Sequence, residues 1–255
     1  MPKVTRTIIP RIRKSFRERG VVTTLCRSFL LPIHLVREHL AAKALRNENE
    51  NVVSEFDRAH GVDTDGKFDG WTYLSDLNIQ SANWIDGNDY AAIEPLRFQQ
   101  LMTSFDFRFE DYTFIDFGSG KGRALLLASE SPFKRILGLE FAPELHKAAE
   151  ANIGLYKSDT QKCRDIASLN VDFADFSLPA EKAVLFFFHP CSVRVLSLVV
   201  EAIARSLRSH PRSLYLAYVA PTSEQERLFA AAGFLEKIVE NNEFRFSVYR
   251  ALTKP

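Results

Sequence analysis

The stretch that decides the fold is Phe114-Ile115-Asp116-Phe117-Gly118-Ser119-Gly120-Lys121-Gly122-Arg123. It joins a short apolar strand, predicted over residues 112–117, to a helix predicted over residues 123–129. Glycines at such a junction let a ligand approach closely, because side chains are absent and backbone N–H groups are available at the start of the helix. The glycine spacing is GxGxG, whereas dinucleotide-binding loops normally read GxGxxG.

Two acidic residues accompany this glycine loop. Asp116 closes the strand just before it, and Glu140 ends the next predicted strand, residues 135–140, 20 residues after Gly120. The first carboxylate can hold an ammonium group, and the second can accept hydrogen bonds from both hydroxyls of a ribose. Alternatively, both acids cap helices or lie at the surface, and the glycines only make a turn. The joint spacing favours a cofactor that has an amino acid moiety and a ribose but no phosphate.

The rest of the chain alternates between predicted helices and predicted strands. Helices are predicted at 93–105, 143–155, 193–207 and 223–232, and strands at 169–172, 183–188 and 213–219. Such alternation with apolar strands predicts a parallel sheet covered on both faces. Residues 234–239 and 244–251 flank the polar turn 240–243 and predict an antiparallel hairpin. The predicted fold class is α/β: a Rossmann-like three-layer sandwich whose mostly parallel seven-stranded sheet ends in an antiparallel hairpin, with a helical N-terminal extension.

These residues resemble class I S-adenosylmethionine-dependent methyltransferases, the seven-stranded Rossmann-like class, and in particular a bacterial group with a DxGSGKGR loop. The resemblance runs from residue 56 to the carboxyl terminus, and it includes Gly138-Leu139-Glu140-Phe141 and, upstream, Phe56-Asp57-Arg58 with Gly61-Val62-Asp63-Thr64. It implies S-adenosylmethionine as the cofactor. The binding residues that it implies are Asp116, Gly118, Ser119, Gly120, Gly122, Glu140, Phe141, Asp172, Phe173 and Tyr90.

Two of these assignments have competing explanations. Asp172 is expected beside the adenine amino group, but it can equally be an exposed acid at a strand end, and Asp175 is a second choice. Tyr90 and Pro95 match a tyrosine and a proline that help to close over the cofactor in seven-stranded lysine methyltransferases. A buried tyrosine before a helix-starting proline explains the same pair of residues.

The candidate catalytic residue is His189. Where the bacterial group has Asn-Pro after the fourth strand, this chain has His189-Pro190-Cys191. An amide side chain and a backbone carbonyl at this position would orient an amine, so the replacement bears on the substrate. At the carboxyl end of a strand, His189 can take a proton from an oxygen or nitrogen nucleophile, or it can cap the next helix. Lys121 and Arg123 are expected to pair with acids of the first helix rather than to face the acceptor.

The chain of 255 residues has an uneven charge distribution. Residues 1–50 hold 11 Lys or Arg and 4 Asp or Glu, and they predict a basic helical extension. Such an arm can dock on an acidic partner or on an anionic membrane surface, or it can present a solvated helix face. Residues 51–110, rich in turn signals, predict a lid or substrate-side segment, and residues 111–255 predict the cofactor-binding methyltransferase core.

Several classes of protein and site are disfavoured. The apolar stretch 29–36 is too short to span a bilayer, and no signal peptide is recognisable. Cys26, Cys163 and Cys191 are widely separated and match no zinc pattern, so no metal site is predicted. They suit a cytoplasmic protein, with a peripheral membrane position left open by the basic arm. The acidic body lacks an aromatic-basic recognition motif, which argues against nucleic acid as a partner.

The predicted function is methyl transfer to a protein side chain, such as lysine, or to a small molecule. One alternative is a catalytically inactive binding scaffold with the methyltransferase fold, which the replaced Asn-Pro motif favours. A further alternative is an NAD(P)-dependent oxidoreductase, which the glycine spacing and the terminal hairpin disfavour.

Overall fold

The computed structural model describes residues 54–66 and 71–252 of the chain. Residues Glu55–Pro255 form one compact unit. The predicted basic helical extension, residues 1–50, lies outside the described residues, as does Cys26.

The described residues form six α-helices and nine strands. The helices are α1 Glu55–His60, α2 Pro95–Met102, α3 Arg123–Ala128, α4 Pro143–Leu155, α5 Val193–Ser209 and α6 Ser223–Ala231. The strands are β1 Trp71–Thr72, β2 Tyr90–Ala91, β3 Thr113–Phe117, β4 Arg135–Glu140, β5 Ile166–Asn170, β6 Ala183–Phe188, β7 Leu214–Val219, β8 Leu235–Asn241 and β9 Phe246–Ala251. Short 3₁₀ helices lie at Leu74–Asp76, Ala82–Asp86, Phe109–Asp111 and Phe173–Asp175.

Seven strands form the central sheet, in the order β5-β4-β3-β6-β7-β9-β8. The strands β3 to β7 are parallel, and β3 lies between β4 and β6, with Asp116 opposite Gly138 on one side and Phe186 on the other. β9 runs antiparallel to both of its neighbours, β7 and β8. The predicted mostly parallel seven-stranded sheet with a terminal antiparallel hairpin is therefore confirmed.

Helices cover the sheet on both faces. Successive residues of β3 point to opposite faces. Phe114 belongs to the same buried cluster as Leu101 of α2 and Leu125 of α3, whereas Ile115 belongs to a second cluster that contains Leu196 of α5. Every residue of β3 is buried. This two-sided burial explains why β3, β4 and β6 have nearly continuous apolar sequences, and it produces the three-layer arrangement.

Three predicted elements differ from the structure. The strand predicted at 169–172 is β5, three residues earlier, because β5 is an edge strand with mostly half-buried or exposed side chains and no apolar run marks it. The hairpin turn lies at 242–245 rather than 240–243, because the polar residues 240–241 continue the edge strand β8. The turn-rich part of the predicted lid or substrate-side segment, residues 51–110, contains regular structure that the turn signals do not predict, namely α1 and the 3₁₀ helices Leu74–Asp76 and Ala82–Asp86.

In residues 54–66 and 71–252, no helix is both long and apolar enough to cross a membrane. The same residues contain no group of His, Cys, Asp and Glu side chains that could hold a metal ion. The side chains of Cys163 and Cys191 are buried.

Candidate functional site

A cleft opens at the carboxyl ends of β3, β4 and β6, the edge where open α/β sheets bind ligands. It encloses about 780 Å³, including the part that is open to solvent. Asp116 of β3, Glu140 of β4 and His189, which directly follows β6, contribute to the lining, and residues 87–93 form the opposite wall. Elements far apart in the sequence therefore meet around one concave site.

The glycine loop has a backbone conformation that side chains rarely allow. Gly118, Gly120 and Gly122 have φ angles of +88°, +56° and +88°. The N–H groups of Gly118 and Ser119 donate to the carbonyl of Leu139, at 2.9 and 3.1 Å, which holds the loop against β4. The loop is thus held against β4 by backbone hydrogen bonds, and its residues Gly118 and Ser119 line the cleft.

Two glycines of this loop lie directly against neighbouring side chains. A Cβ atom on Gly120 would lie 1.9 Å from Cε2 of Tyr90, and one on Gly118 would lie 2.9 Å from Cβ of Pro190. Any side chain at Gly120 would therefore displace the tyrosine ring. The GxGxG spacing is explained by these close approaches as well as by the φ angles.

Two buried carboxylates line the cleft beside the loop. Asp116 and Glu140 are each only 3% exposed. Burial raises the pKa of Glu140 to about 7, although the N–H groups of Ala142 and Gly120 each donate to its carboxylate at 2.8 Å. Burial, with a smaller contribution from the charge of Glu140, raises the pKa of Asp116 well above its usual value.

The buried carboxylate of Asp116 receives no hydrogen bond from the residues that the structure describes. The pKa of this carboxylate reflects burial and the neighbouring Glu140 alone. A buried carboxylate without a donor is costly when ionised, and a bound cation removes that cost. The position of Asp116 therefore suits an ammonium group of a ligand.

The charged residues that line the cleft also favour a ligand with a positive charge. Four acids line it, namely Asp89, Asp116, Glu140 and Asp172. Arg123 is the one Lys or Arg among the described lining residues, and it pairs with Asp65 at 2.7 Å and Asp57 at 3.1 Å. The cleft thus offers no available cation to a phosphate and favours a ligand that is cationic or neutral.

Residues 81–92, which we name the roof segment, are fixed at the β5 side by Asp172. Its Oδ2 accepts hydrogen bonds from Ser81 Oγ at 2.5 Å and from Asn83 Nδ2 at 2.9 Å. Its Oδ1 accepts from the N–H of Ala174 at 2.9 Å and so caps the 3₁₀ helix Phe173–Asp175. Asp172 is therefore a partly buried, fully oriented side chain rather than a free acid at a strand end.

The roof segment is fixed at the β6 side by Asp86. This buried carboxylate accepts a hydrogen bond from Ser192 Oγ at 2.8 Å and forms an ion pair with Arg194. The backbone carbonyl of Asp86 also accepts from the N–H of Ser192 at 2.7 Å. Since Ser81, Asn83 and Asp86 are all held, this part of the roof segment is a fixed wall of the cleft.

His189 follows β6 directly and lines the cleft, partly buried. Its φ of +46° lies in the left-handed region, which is uncommon for residues other than glycine. Asn88 binds this turn twice: its Nδ2 donates to the His189 carbonyl at 2.7 Å and its N–H to the Pro190 carbonyl at 3.0 Å. The chain thus presents an imidazole where an Asn-Pro motif would present an amide, and it uses both nearby carbonyls internally.

Nine of the predicted site residues line the cleft, namely Tyr90, Asp116, Gly118, Ser119, Glu140, Phe141, Asp172, Phe173 and His189. Gly120 lies beneath Tyr90, and Gly122 packs against Ala149. The competing acid Asp175 is exposed and lies outside the lining. Pro95 is the first residue of α2 and also lies outside the lining.

Lys121 and Arg123 pair with acids, but not with the acids of the first helix that were predicted as their partners. The partner of Lys121 is Asp63, at 2.7 Å, and the partners of Arg123 are Asp57 and Asp65. Asp57 and Asp63 belong to the upstream motif, residues 56–58 and 61–64, and Asp65 directly follows it. None of the three belongs to the helix α3 that follows the loop. The upstream motif is therefore folded onto the start of α3.

Sequence reasoning missed several residues of the lining, including Asn83, Asn88, Phe188 and Cys191. The two asparagines lie among Asp-Gly and Asn-rich turn signals, which indicate a loop and not which side chains face a ligand. The signal that could have found Asn88 is its place two residues before Tyr90, which was already predicted to cover the cofactor.

No family model matches the sequence, and no curated protein matches it. Among solved structures, it is similar to the 23S rRNA methyltransferase ErmE, with 13% identity, a TM-score of 0.45 and coverage of 64% of this chain and 70% of that chain. It is similar to a predicted N6-adenine-specific DNA methylase from Listeria monocytogenes, with 14% identity, a TM-score of 0.46 and coverage of 63% and 51%. It is also similar to an RNA methyltransferase from Salinibacter ruber in complex with S-adenosyl-L-homocysteine, with 17% identity, a TM-score of 0.42 and coverage of 64% and 92%. At such identities and TM-scores, the likeness assigns neither an activity nor a substrate to this chain.

Proposed function

We propose that this chain is a class I S-adenosylmethionine-dependent methyltransferase. The observation that carries the proposal is the pair of buried carboxylates, Asp116 and Glu140, beside a left-handed glycine loop in a cleft that has no available cation among its described residues. This set of groups fits a ligand that has an ammonium group and a ribose but no phosphate. S-adenosylmethionine has these properties, and its sulfonium carries a further positive charge.

Each proposed contact uses a group that has hydrogen-bonding capacity left. Asp116 would bind the ammonium group, and Glu140 would accept from the ribose hydroxyls with the lone pairs that Gly120 and Ala142 do not use. Phe141 and Phe173 provide apolar contacts for the adenine. The Oδ1 atom of Asp172 has one donor among the described residues and can accept from the adenine amino group.

The bound cofactor would supply an activated methyl group on a positively charged sulfur. The chain then has to align a deprotonated nucleophile with that methyl group and to exclude water. We assign the removal of the acceptor proton to His189, which lies at the carboxyl end of β6. The roof segment, held by Asp86 and Asp172, would limit access of water to the reacting groups.

The proposed acceptor is a protein side chain, such as lysine, or a small molecule. The four acids of the cleft disfavour an acceptor with a phosphate near the methyl group. We further propose a cytoplasmic location, with the basic residues 1–50 docking on an acidic partner or an anionic membrane surface. A chain that begins at Val52 should then label less acceptor in cell extract with radioactive methyl groups and should bind the cofactor unchanged. Equal labelling by the shorter chain would remove the docking role.

Calorimetric titration with S-adenosylmethionine, S-adenosylhomocysteine and NADH tests the proposal. We expect micromolar binding of the first two ligands and none of NADH. Asp116→Asn and Glu140→Gln should each weaken binding about tenfold or more, because each removes a charge-assisted hydrogen bond worth roughly 1.5–3 kcal/mol. The matched control is Asp175→Asn, an exposed acid next to the cleft, which should leave the affinity unchanged. A folded wild-type chain that binds neither sulfur ligand, or that binds NADH saturably, would contradict the proposal.

A second candidate function is cofactor binding without methyl transfer. It is favoured by His189-Pro190 in place of Asn-Pro, because Asn88 already uses both backbone carbonyls of this turn. The two functions differ in one measurement, the transfer of label from radioactive S-adenosylmethionine to acceptors in cell extract. Transfer that His189→Ala abolishes supports the enzyme, whereas tight cofactor binding without any transfer supports the scaffold.

A further inference from the structure

The upstream motif encloses a buried ion pair. The side chains of Asp57 and Arg123 are 2% and 6% exposed, and their charged groups lie 3.1 Å apart. Asp57 also accepts hydrogen bonds from the N–H of Thr64 at 2.8 Å and from its hydroxyl at 2.5 Å. The same hydroxyl accepts from Arg123 Nε at 2.5 Å. The position of Thr64 is therefore set by a network of buried charges.

Thr64 in turn holds Tyr90. The phenol hydroxyl of Tyr90 donates to the carbonyl of Thr64 at 2.5 Å in a buried position. Burial raises the pKa of Tyr90 above its usual value, so that the phenol stays protonated and remains a donor at neutral pH. The tyrosine ring lies on Gly120, where a Cβ atom would be only 1.9 Å from Cε2. Fixing Thr64 therefore fixes the ring against the glycine loop.

Gly120 completes the connection to the cleft. Its N–H donates to Oε2 of Glu140 at 2.8 Å, while the N–H of Ala142 donates to Oε1 at 2.8 Å. These two donors set the plane of the Glu140 carboxylate and so the directions of its remaining lone pairs. A continuous series of contacts thus runs from Asp57 through Thr64, Tyr90 and Gly120 to Glu140.

We propose that Asp57 is a positioning residue for the ribose of the cofactor. Neither Asp57 nor Thr64 lines the cleft, and both act through the ring of Tyr90 and the backbone of Gly120. The inference rests on the proposed function, because it takes Glu140 as the ribose-binding group. It assigns the upstream motif a part in cofactor affinity in addition to its part in the stability of the fold.

The test compares two ligands, S-adenosylhomocysteine and its analogue that lacks both ribose hydroxyls, by calorimetric titration. Tyr90→Phe removes the hydrogen bond to Thr64 and keeps the ring, and Asp57→Asn removes the charge opposite Arg123. Each variant should weaken S-adenosylhomocysteine about three- to tenfold, as expected for one lost hydrogen bond, and should weaken the analogue much less. The ratio of the two dissociation constants should therefore shrink, as it should in Glu140→Gln.

Arg212→Lys is the matched control. Arg212 is a buried arginine that precedes the amino end of β7, whereas the cleft lies at the carboxyl ends of the parallel strands. It donates to the carbonyls of Glu181 at 2.9 Å and His210 at 2.8 Å. The control should lower the free energy of unfolding and leave both dissociation constants unchanged. Where Asp57→Asn does not fold, Tyr90→Phe decides the test, because it leaves the ion pair intact.

The possible results separate the inference from the proposed function. A wild-type chain that binds neither ligand overturns both. A wild-type chain whose preference for the ribose is lost in Glu140→Gln but kept in Tyr90→Phe and Asp57→Asn overturns the inference alone. Equal weakening of both ligands in these two variants also overturns it, because a purely structural role predicts no dependence on the ribose hydroxyls.

Discussion

Glu140→Gln should change the pH dependence of stability in a predictable direction. Burial raises the pKa of Glu140 to about 7 in the folded chain, against a usual value of 4.5. Between these two values the unfolded chain releases the proton and the folded chain keeps it. The free energy of unfolding of the wild type therefore falls as the pH rises through this window, and the part of the stability present at low pH is lost above about pH 7.

The size of the effect follows from the same two values. A difference of about 2.5 pKa units corresponds to about 3 kcal/mol, spread over a slope of about 1.4 kcal/mol per pH unit. Glutamine does not titrate, so the variant lacks this slope. It also carries a constant cost of roughly 1–3 kcal/mol, because its single carbonyl oxygen cannot serve both the Gly120 and the Ala142 N–H groups. The slope and the offset are thus separable.

Urea unfolding of the wild type and of Glu140→Gln from pH 4 to 8 measures the free energy of unfolding of each protein. Subtracting one free energy from the other removes the contribution of most other titrating groups. The variant should gain stability relative to the wild type as the pH rises, and the gain should level off above about pH 7. Asp116 acts in the same direction, since the loss of the Glu140 charge lowers the pKa of Asp116. The reasoning would be refuted if the stability of the variant relative to the wild type did not depend on pH, or if it fell as the pH rose.

Three further predictions concern the loop, the cofactor and the roof segment. Gly120→Ala should lower the free energy of unfolding by about 2–4 kcal/mol, because Gly120 has a positive φ and lies against the ring of Tyr90, and it should weaken S-adenosylhomocysteine binding. The control Gly154→Ala, at an open position of α4, should be neutral or stabilising by up to about 1 kcal/mol. Affinity for S-adenosylhomocysteine should rise as the pH is raised above the usual range of a carboxyl group, because burial raises the pKa of Asp116 and its carboxylate must be ionised to hold the ammonium group. Calorimetry on Asp116→Asn should show a flatter pH profile, and a wild-type affinity that falls with rising pH would contradict the assignment. Asp86→Ala should speed hydrogen exchange in residues 81–92 and lower stability by about 1–3 kcal/mol, since Ser192 and Arg194 lose their acceptor; unchanged exchange there would mean that Asp86 does not hold the roof segment.

The fold and the floor of the cleft could be predicted because their signals are local. Apolar runs mark β3, β4 and β6, and the glycine loop and its two acids stand at the ends of these strands. In a parallel sheet the carboxyl ends of adjacent strands meet, so that Asp116, Glu140 and His189 are brought to one edge by topology alone. The edge strand β5 was misplaced because its side chains are only partly buried and carry no such signal.

The opposite wall could not be predicted, because it depends on polar contacts between distant residues. The bond from Asn88 to His189 spans 101 residues, and the bonds that join Asp172 to the roof segment span 89 and 91. Asparagine, serine and aspartate in a loop are compatible with many partners, and no periodicity selects one of them. The upstream motif was recognisable as a motif, but its burial around Arg123 became apparent only from the structure.

The position of β9 has a consequence for synthesis. β9 follows β8 along the chain but lies between β7 and β8 in the sheet. On the ribosome, β7 therefore presents an unpaired and almost entirely apolar edge, Leu214–Val219, until Phe246–Ala251 have emerged. During that interval the exposed edge of β7 can pair with other chains instead of with β9. The sheet therefore cannot be completed by adding one strand at a time in the order of translation.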